Sequence, residues 1–224
     1  MVIFFNFLNV LFNPKKFINY IQKPVSLKKE IYIPFAVIIF LYVINHIILS
    51  PTLLELISRD IFLSGDSVTE FTAKKIGGSF FMIIVTSITL LFTSAYYLFS
   101  MNILTNKTKI KFNQIMNLVA YSSLITWLGS FLAIIFISGK DILLFSSLAE
   151  YNADMKLYFT LTHIFGKTGN ELIDVLFQTL SIFSIWQAII IVWGLSVIYK
   201  TKIKIALIPE LIITAVLYGM NFVR

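Results

Sequence analysis

Apolar residues in this chain gather in long uninterrupted blocks, not at the short periods of a water-soluble fold. Ser79 to Leu104 is 26 residues without a charge, and Ile115 to Ser138 is 24 residues without one. About 18 apolar residues suffice for a helix to cross the ~30 Å hydrocarbon core of a bilayer. The bridge between the two blocks, 105–114, carries Lys107, Lys109 and Lys111 and no acidic residue. Together they predict a membrane hairpin. Three further blocks read as spans. The first is 31–50, with Pro34 in its first turn and Pro51 marking its end. The others are 172–199, entered near Leu176, and 203–223, with Pro209 and Glu210 inside it. The expected fold is all-α: a polytopic membrane domain over 31–224, with five transmembrane helices at about 31–50, 79–104, 115–138, 172–199 and 203–223.

The segment 1–30 has a different period. Polar residues fall at Asn6, Asn9, Asn13, Lys16, Asn19 and Lys23, a helical spacing that leaves Phe4, Phe7, Leu8, Leu11, Phe12 and Ile18 on the apolar side. Asn13-Pro14 reads as a helix restart, with proline in the first turn. This predicts an N-terminal interfacial amphipathic helix followed by a basic flank. A signal peptide would place its positive charge before the apolar run and small residues at a cleavage site. Here the lysines follow the run, so a retained helix is expected. The loops 51–78 and 139–171 contain four capping-box spellings: Thr52/Glu55, Ser67/Glu70, Ser147/Glu150 and Thr168/Glu171. Short surface helices are expected there, with Gly77-Gly78 separating the first loop from the second span.

Composition agrees with a lipid solvent. Apolar residues make 58% of the chain and charged ones 13%, against about 45–50% and about 25% in globular domains. The net charge is +7, but the lysines sit beside the apolar blocks and not on a soluble face. They therefore speak for orientation and against nucleic acid. With the N-terminus inside, segments 1–30, 105–114 and 200–204 hold 11 Lys or Arg and one acid. The opposite segments, 51–78, 139–171 and Arg224, hold 7 basic and 8 acidic residues. An N-in, C-out topology follows. Lys15, Lys16, Lys28, Lys29, Lys107, Lys109 and Lys111 become candidate contacts to anionic lipid headgroups. The sequon at Asn106-Lys107-Thr108 then lies on the cytoplasmic side and is expected to be inert. Ser26 and Lys29, a dyad by spelling, lie in a cytoplasmic flank and read as chance. The chain has no cysteine, which removes thiol and disulfide chemistry.

An ionisable residue within a span is a functional candidate. Glu210 is the clearest, with Gln187, Gln178 and Asn117 as polar companions in neighbouring spans. The plainer alternative is an interfacial carboxyl, protonated or hydrogen-bonded to Gln187, Trp193 or a lysine amine. Asn45 and His46, near the outer end of the first span, read as interface residues. Glu171 and Asp174, at i and i+3, complement a helix dipole and are too few to hold Ca²⁺. Ser122, Thr126 and Ser130, with Gly129 and Ala133 beside them, repeat every four residues as a small-residue packing face. There is no GxSxG, HExxH or GxGxxG, no P-loop and no nucleophile–base pair. No catalytic residue, metal or cofactor is expected.

Three stretches carry a family likeness. LFNPKKFINYIQKP has a "P-x-x-F" entry segment at Pro14 and Phe17. IKFNQIMNLVAYSSLITWLGSF carries Phe112, Gln114, Ala120, Tyr121 and Ser122. IFSIWQAIIIVWGLSVIYKTK carries Phe183, Trp186, Gly194 and Leu195. Together they resemble the Yip domain, a five-span membrane family whose eukaryotic members interact with Rab-type GTPases. The resemblance implies the same five-span fold. The chain departs from the family in lacking proline near Thr126 and in carrying Ser181-Ile182 where the family has "n-p". The first functional expectation is a non-enzymatic membrane scaffold that organises lipid or partner proteins, with membrane lipids, protein partners or self-association as its contacts. The alternative is a small transporter or channel with an ion- or proton-coupled pathway near Glu210. A membrane enzyme is a third, fainter option. The Ile, Phe, Lys and Asn bias points to a bacterial cytoplasmic membrane.

Overall fold

The computed structural model describes residues 8–21, 37, 68–107, 109–138, 140 and 148–222. The helices, in chain order, are α1 (Pro14–Ile21), α2 (Val68–Thr105), α3 (Phe112–Ser138), α4 (Leu148–Leu157), α5 (Leu161–Phe165), α6 (Glu171–Thr179), α7 (Ile182–Ile198) and α8 (Ile203–Phe222). Among the described residues there is no strand, only an isolated bridge between Thr160 and Ser181. Within α2 and α3, Ile84–Thr105 and Phe112–Ile137 are long and apolar enough to cross a bilayer, and Ile182–Ile198 is a shorter apolar helix. All of the predicted first span except residue 37, and most of the loop after it, lie outside the described residues, as do Asn45, His46, Lys28 and Lys29.

Several expectations change. Gly77-Gly78 does not part a loop from a span, because α2 runs unbroken for 38 residues from Val68. A helical glycine costs about 1 kcal/mol, which is less than the hydrogen bonds that would be lost by ending the helix there. The predicted span 172–199 is not one helix. It breaks at Leu180-Ser181, where Ser181 caps α7 in a reciprocal box with Ser184. The break is stitched from outside: Leu161 N–H donates to Leu180 O at 2.8 Å, and Ile182 N–H to Phe159 O at 3.0 Å. The cap of α6 is Asn170, not Thr168. Thr168 instead donates through its backbone N–H and its hydroxyl to Asp174.

The amphipathic N-terminal helix restarts at Pro14, with Asn13 Oδ1 accepting from Lys16 N–H at 3.3 Å. Its apolar side does not simply face lipid. Phe17 and Ile18 are buried in the protein core, and the Phe17 ring meets Tyr121 edge-on at a centroid distance of 5.5 Å. Phe12 remains exposed.

The core is built by α3, which packs against both α2 and α7, with α8 closing on α7 and α2. Gly194 marks a close approach of α7 to α3: a Cβ there would stand 2.4 Å from Leu118 Cδ1. Small residues let helices meet by van der Waals contact where lipid removes the hydrophobic drive.

The two hairpin turns lie side by side. The Lys107 ammonium donates to the carbonyl oxygens of Tyr199 and Lys200. It thereby satisfies carbonyls at the C-terminus of α7, where the dipole also favours a cation. That end carries Lys107, Lys109, Lys111, Lys200, Lys202 and Lys204, and no acid falls within 105–114 or 199–204. At the other end, the Tyr218 hydroxyl donates to Leu172 O at 2.8 Å. Lys140 pairs with Asp154 there at 2.8 Å, and this hydrogen bond holds the Lys140 ammonium above its ordinary pKa.

Candidate functional site

Pro209 and Glu210 lie in the first half of α8. Proline removes a backbone donor from the helix interior and leaves a carbonyl one turn earlier without its usual partner. Two consecutive tyrosines of α2 meet this point. The Tyr96 hydroxyl donates to Pro209 O at 2.9 Å, and the Tyr97 hydroxyl donates to Glu210 Oε2. Their rings lean on one another at 5.4 Å between centroids. Tyr97 is 1% exposed and Glu210 is 9% exposed. Among the described residues, no Lys, Arg or His is paired with Glu210.

A cavity of about 700 Å³ opens beside this pair. Its wall includes Tyr97, Gln187, Trp193, Leu207, Glu210 and Thr214, and most of its lining is aliphatic. Ile189, Ile203 and Leu211 also line it, and each stands exposed on the outer surface. The cavity is therefore a cleft open to the side of the described bundle, between α7 and α8. Its volume lies within the about 300–1,000 Å³ range of small-molecule sites.

Of the four polar candidates, the structure brings two together: Glu210 and Gln187 share the cavity. Gln178 is exposed on α6 and is not among the lining residues, although its neighbour Thr179 is. Asn117 is buried in α3, away from the cavity, and its Oδ1 has no partner among the described residues. The carboxyl's hydrogen-bond partner is Tyr97, which the sequence reading did not name. A phenol inside an uncharged run needs an acceptor, and that requirement was the signal available.

The other sequence candidates sit elsewhere. Ser122, Thr126 and Ser130 spend their hydroxyls on carbonyls of their own helix. Ala133 is buried, and Gly129 lies against Phe183. Trp186 is partly buried against the core. Lys15, Lys16, Lys109 and Lys111 are exposed. His163 stacks on Tyr158 with centroids 4.6 Å apart. Among the described residues, no group of three or more His, Cys, Asp or Glu is placed to hold a metal.

Two comparisons return nothing: no curated protein and no solved structure matches the chain. A family model does match, over residues 8–222, and its description is the Yip1 domain.

Proposed function

This chain belongs to the Yip1 domain family and is a membrane protein of that type, and on that premise we propose that it is a non-enzymatic scaffold that organises lipid. The observation that carries this reading is the cleft between α7 and α8: aliphatic, open to the side, and closed at one wall by a single carboxyl. An aliphatic groove facing lipid is suited to holding a chain in place. The absence of any nucleophile–base pair in the sequence supports a non-catalytic role. The proposed arrangement is five spans in a bacterial cytoplasmic membrane, N-terminus inside and C-terminus outside, with the basic end meeting anionic headgroups and partner proteins. The gathering of Lys107, Lys109, Lys111, Lys200, Lys202 and Lys204 at one end supports that orientation.

The orientation has a clean probe because the chain holds no cysteine. Lys109→Cys is expected to resist an impermeant maleimide in intact cells and to react once they are broken. Labelling from outside would invert the topology.

Transport is the second reading, favoured by the shared position of Glu210 and Gln187. Against it, Asn117 and Gln178 do not extend that pair into a path. Sealed liposomes carrying the purified chain are expected to collapse an imposed proton gradient no faster than empty ones. A flux that disappears with Glu210→Gln would replace the scaffold with a transporter.

A further inference from the structure

We propose that the cleft beside Glu210 takes a single-chain amphiphile whose head is a protonated amine, the ammonium resting on the Glu210 carboxylate and the chain lying along α7 and α8. The inference deepens the lipid-organising reading and rests on it.

Three observations converge. The first is charge. Glu210 is nearly buried and receives one hydrogen bond, from Tyr97, to Oε2. Among the described residues no cation faces it. An uncompensated carboxylate in a low-dielectric site is costly, which favours its pairing with a cation. A cation supplied by the ligand restores the balance. A phosphate or carboxylate head would be repelled.

The second is shape. The lining beyond the carboxyl is dominated by residues such as Ile185, Ile189, Leu207 and Leu211, spread over two turns or more of each helix. Such a groove suits a linear chain rather than a compact solute. The third is the aromatic wall. Tyr97 and Trp193 line the same space as the carboxylate, and aromatic faces attract ammonium groups. A doubly acylated phospholipid fits less well, because its phosphate would have to accompany any amine into the neighbourhood of Glu210.

Trp193 supplies the readout. The full chain, in nanodiscs of phosphatidylcholine, is titrated with three brominated probes of one chain length: an alkylamine, an alkanol and an alkanoate. The alkylamine is expected to quench tryptophan fluorescence saturably, and to half-saturate at a concentration about tenfold or more below the alkanol, a difference of about 1.4 kcal/mol. The alkanoate should show no saturable phase. Trp193→Phe should remove that phase, although Trp127 and Trp186 remain. Ala188→Phe, which fills the cleft from the lining, should remove it for every probe. Glu210→Gln should bring the alkylamine to the alkanol's half-saturation and leave the alkanol unchanged.

Equal binding of amine and alcohol by the unmodified chain would overturn the head-group assignment while leaving a chain-binding cleft in place. So would an amine titration indifferent to Glu210→Gln. Absence of saturable quenching by any probe would overturn the lipid-organising reading as well. Should Glu210→Gln fail to fold, the amine-to-alcohol ratio of the unmodified chain decides alone.

Discussion

Gly129→Ala is expected to destabilise the bundle by about 2 kcal/mol, although alanine is the better helix former. The added Cβ would stand 2.4 Å from Phe183 Cδ2, 2.5 Å from Cγ and 3.0 Å from Cβ. The ring cannot easily swing away. It meets Phe159 edge-on at 5.3 Å, and Phe159 in turn meets Phe136 and Tyr158. The Phe183 Cβ is fixed to the backbone at the second residue of α7, just after the Ser181 cap. Overpacking a filled contact costs about 1–3 kcal/mol. Here the upper end applies, less about 1 kcal/mol regained from helix propensity. Equilibrium unfolding in mixed micelles of rising SDS fraction, followed by tryptophan fluorescence, measures the loss. Gly129→Ala/Phe183→Leu should then lose about 1 kcal/mol less than the two single changes summed. Strict additivity would show that the ring is not what the new methyl meets. Gly194 makes a useful contrast, since the two nearest atoms met there are the terminal carbons of Leu118, with its Cγ at 3.1 Å, and an aliphatic end can rotate before the backbone moves.

The parts of this fold that were legible beforehand are those where solvent alone sets the boundary. The end of α2 at Thr105 and the start of α3 at Phe112 lie within a few residues of where the charge-free runs end. Lysine beside an apolar run is a strong constraint, because the penalty for drawing it into hydrocarbon exceeds any local propensity. Where the boundary is set by contacts between distant segments, the apolar pattern is blind. The break at Leu180-Ser181 falls inside an apolar block, and its stitching partners, Phe159 and Leu161, come from about twenty residues upstream. Its capping box pairs serine with serine, not with the glutamate or glutamine that the usual signature requires. The same limit applies to the site. Glu210 was visible because an acid within a span is rare. Its partner was not, since Tyr97 is 113 positions away and an uncharged run does not reveal which of its faces will meet α8. The cleft was equally hidden, being a property of how α2, α7 and α8 pack together.

Tyr97→Phe is expected to cost about 1–3 kcal/mol in the same unfolding measurement, the penalty of leaving a buried acceptor without its donor. The change deletes one oxygen and leaves the ring in place, so packing contributes little to the loss. Glu210→Leu alone strands the Tyr97 hydroxyl instead, and a comparable loss follows. The informative variant is the double change, Tyr97→Phe/Glu210→Leu. If both single effects are desolvation penalties, removing both partners together leaves nothing stranded, and stability should return to within about 1 kcal/mol of the starting chain. Measured hydrogen bonds between membrane helices average less than the range above because the unfolded chain in lipid also finds partners, so single losses near its lower bound are the expected case. If the double variant instead loses the sum of the two, each residue stabilises the bundle through separate contacts. The pairing of α2 with α8 would then rest on Tyr96 and Pro209 and on aliphatic packing, and Glu210 would stabilise the bundle through contacts other than its hydrogen bond to Tyr97.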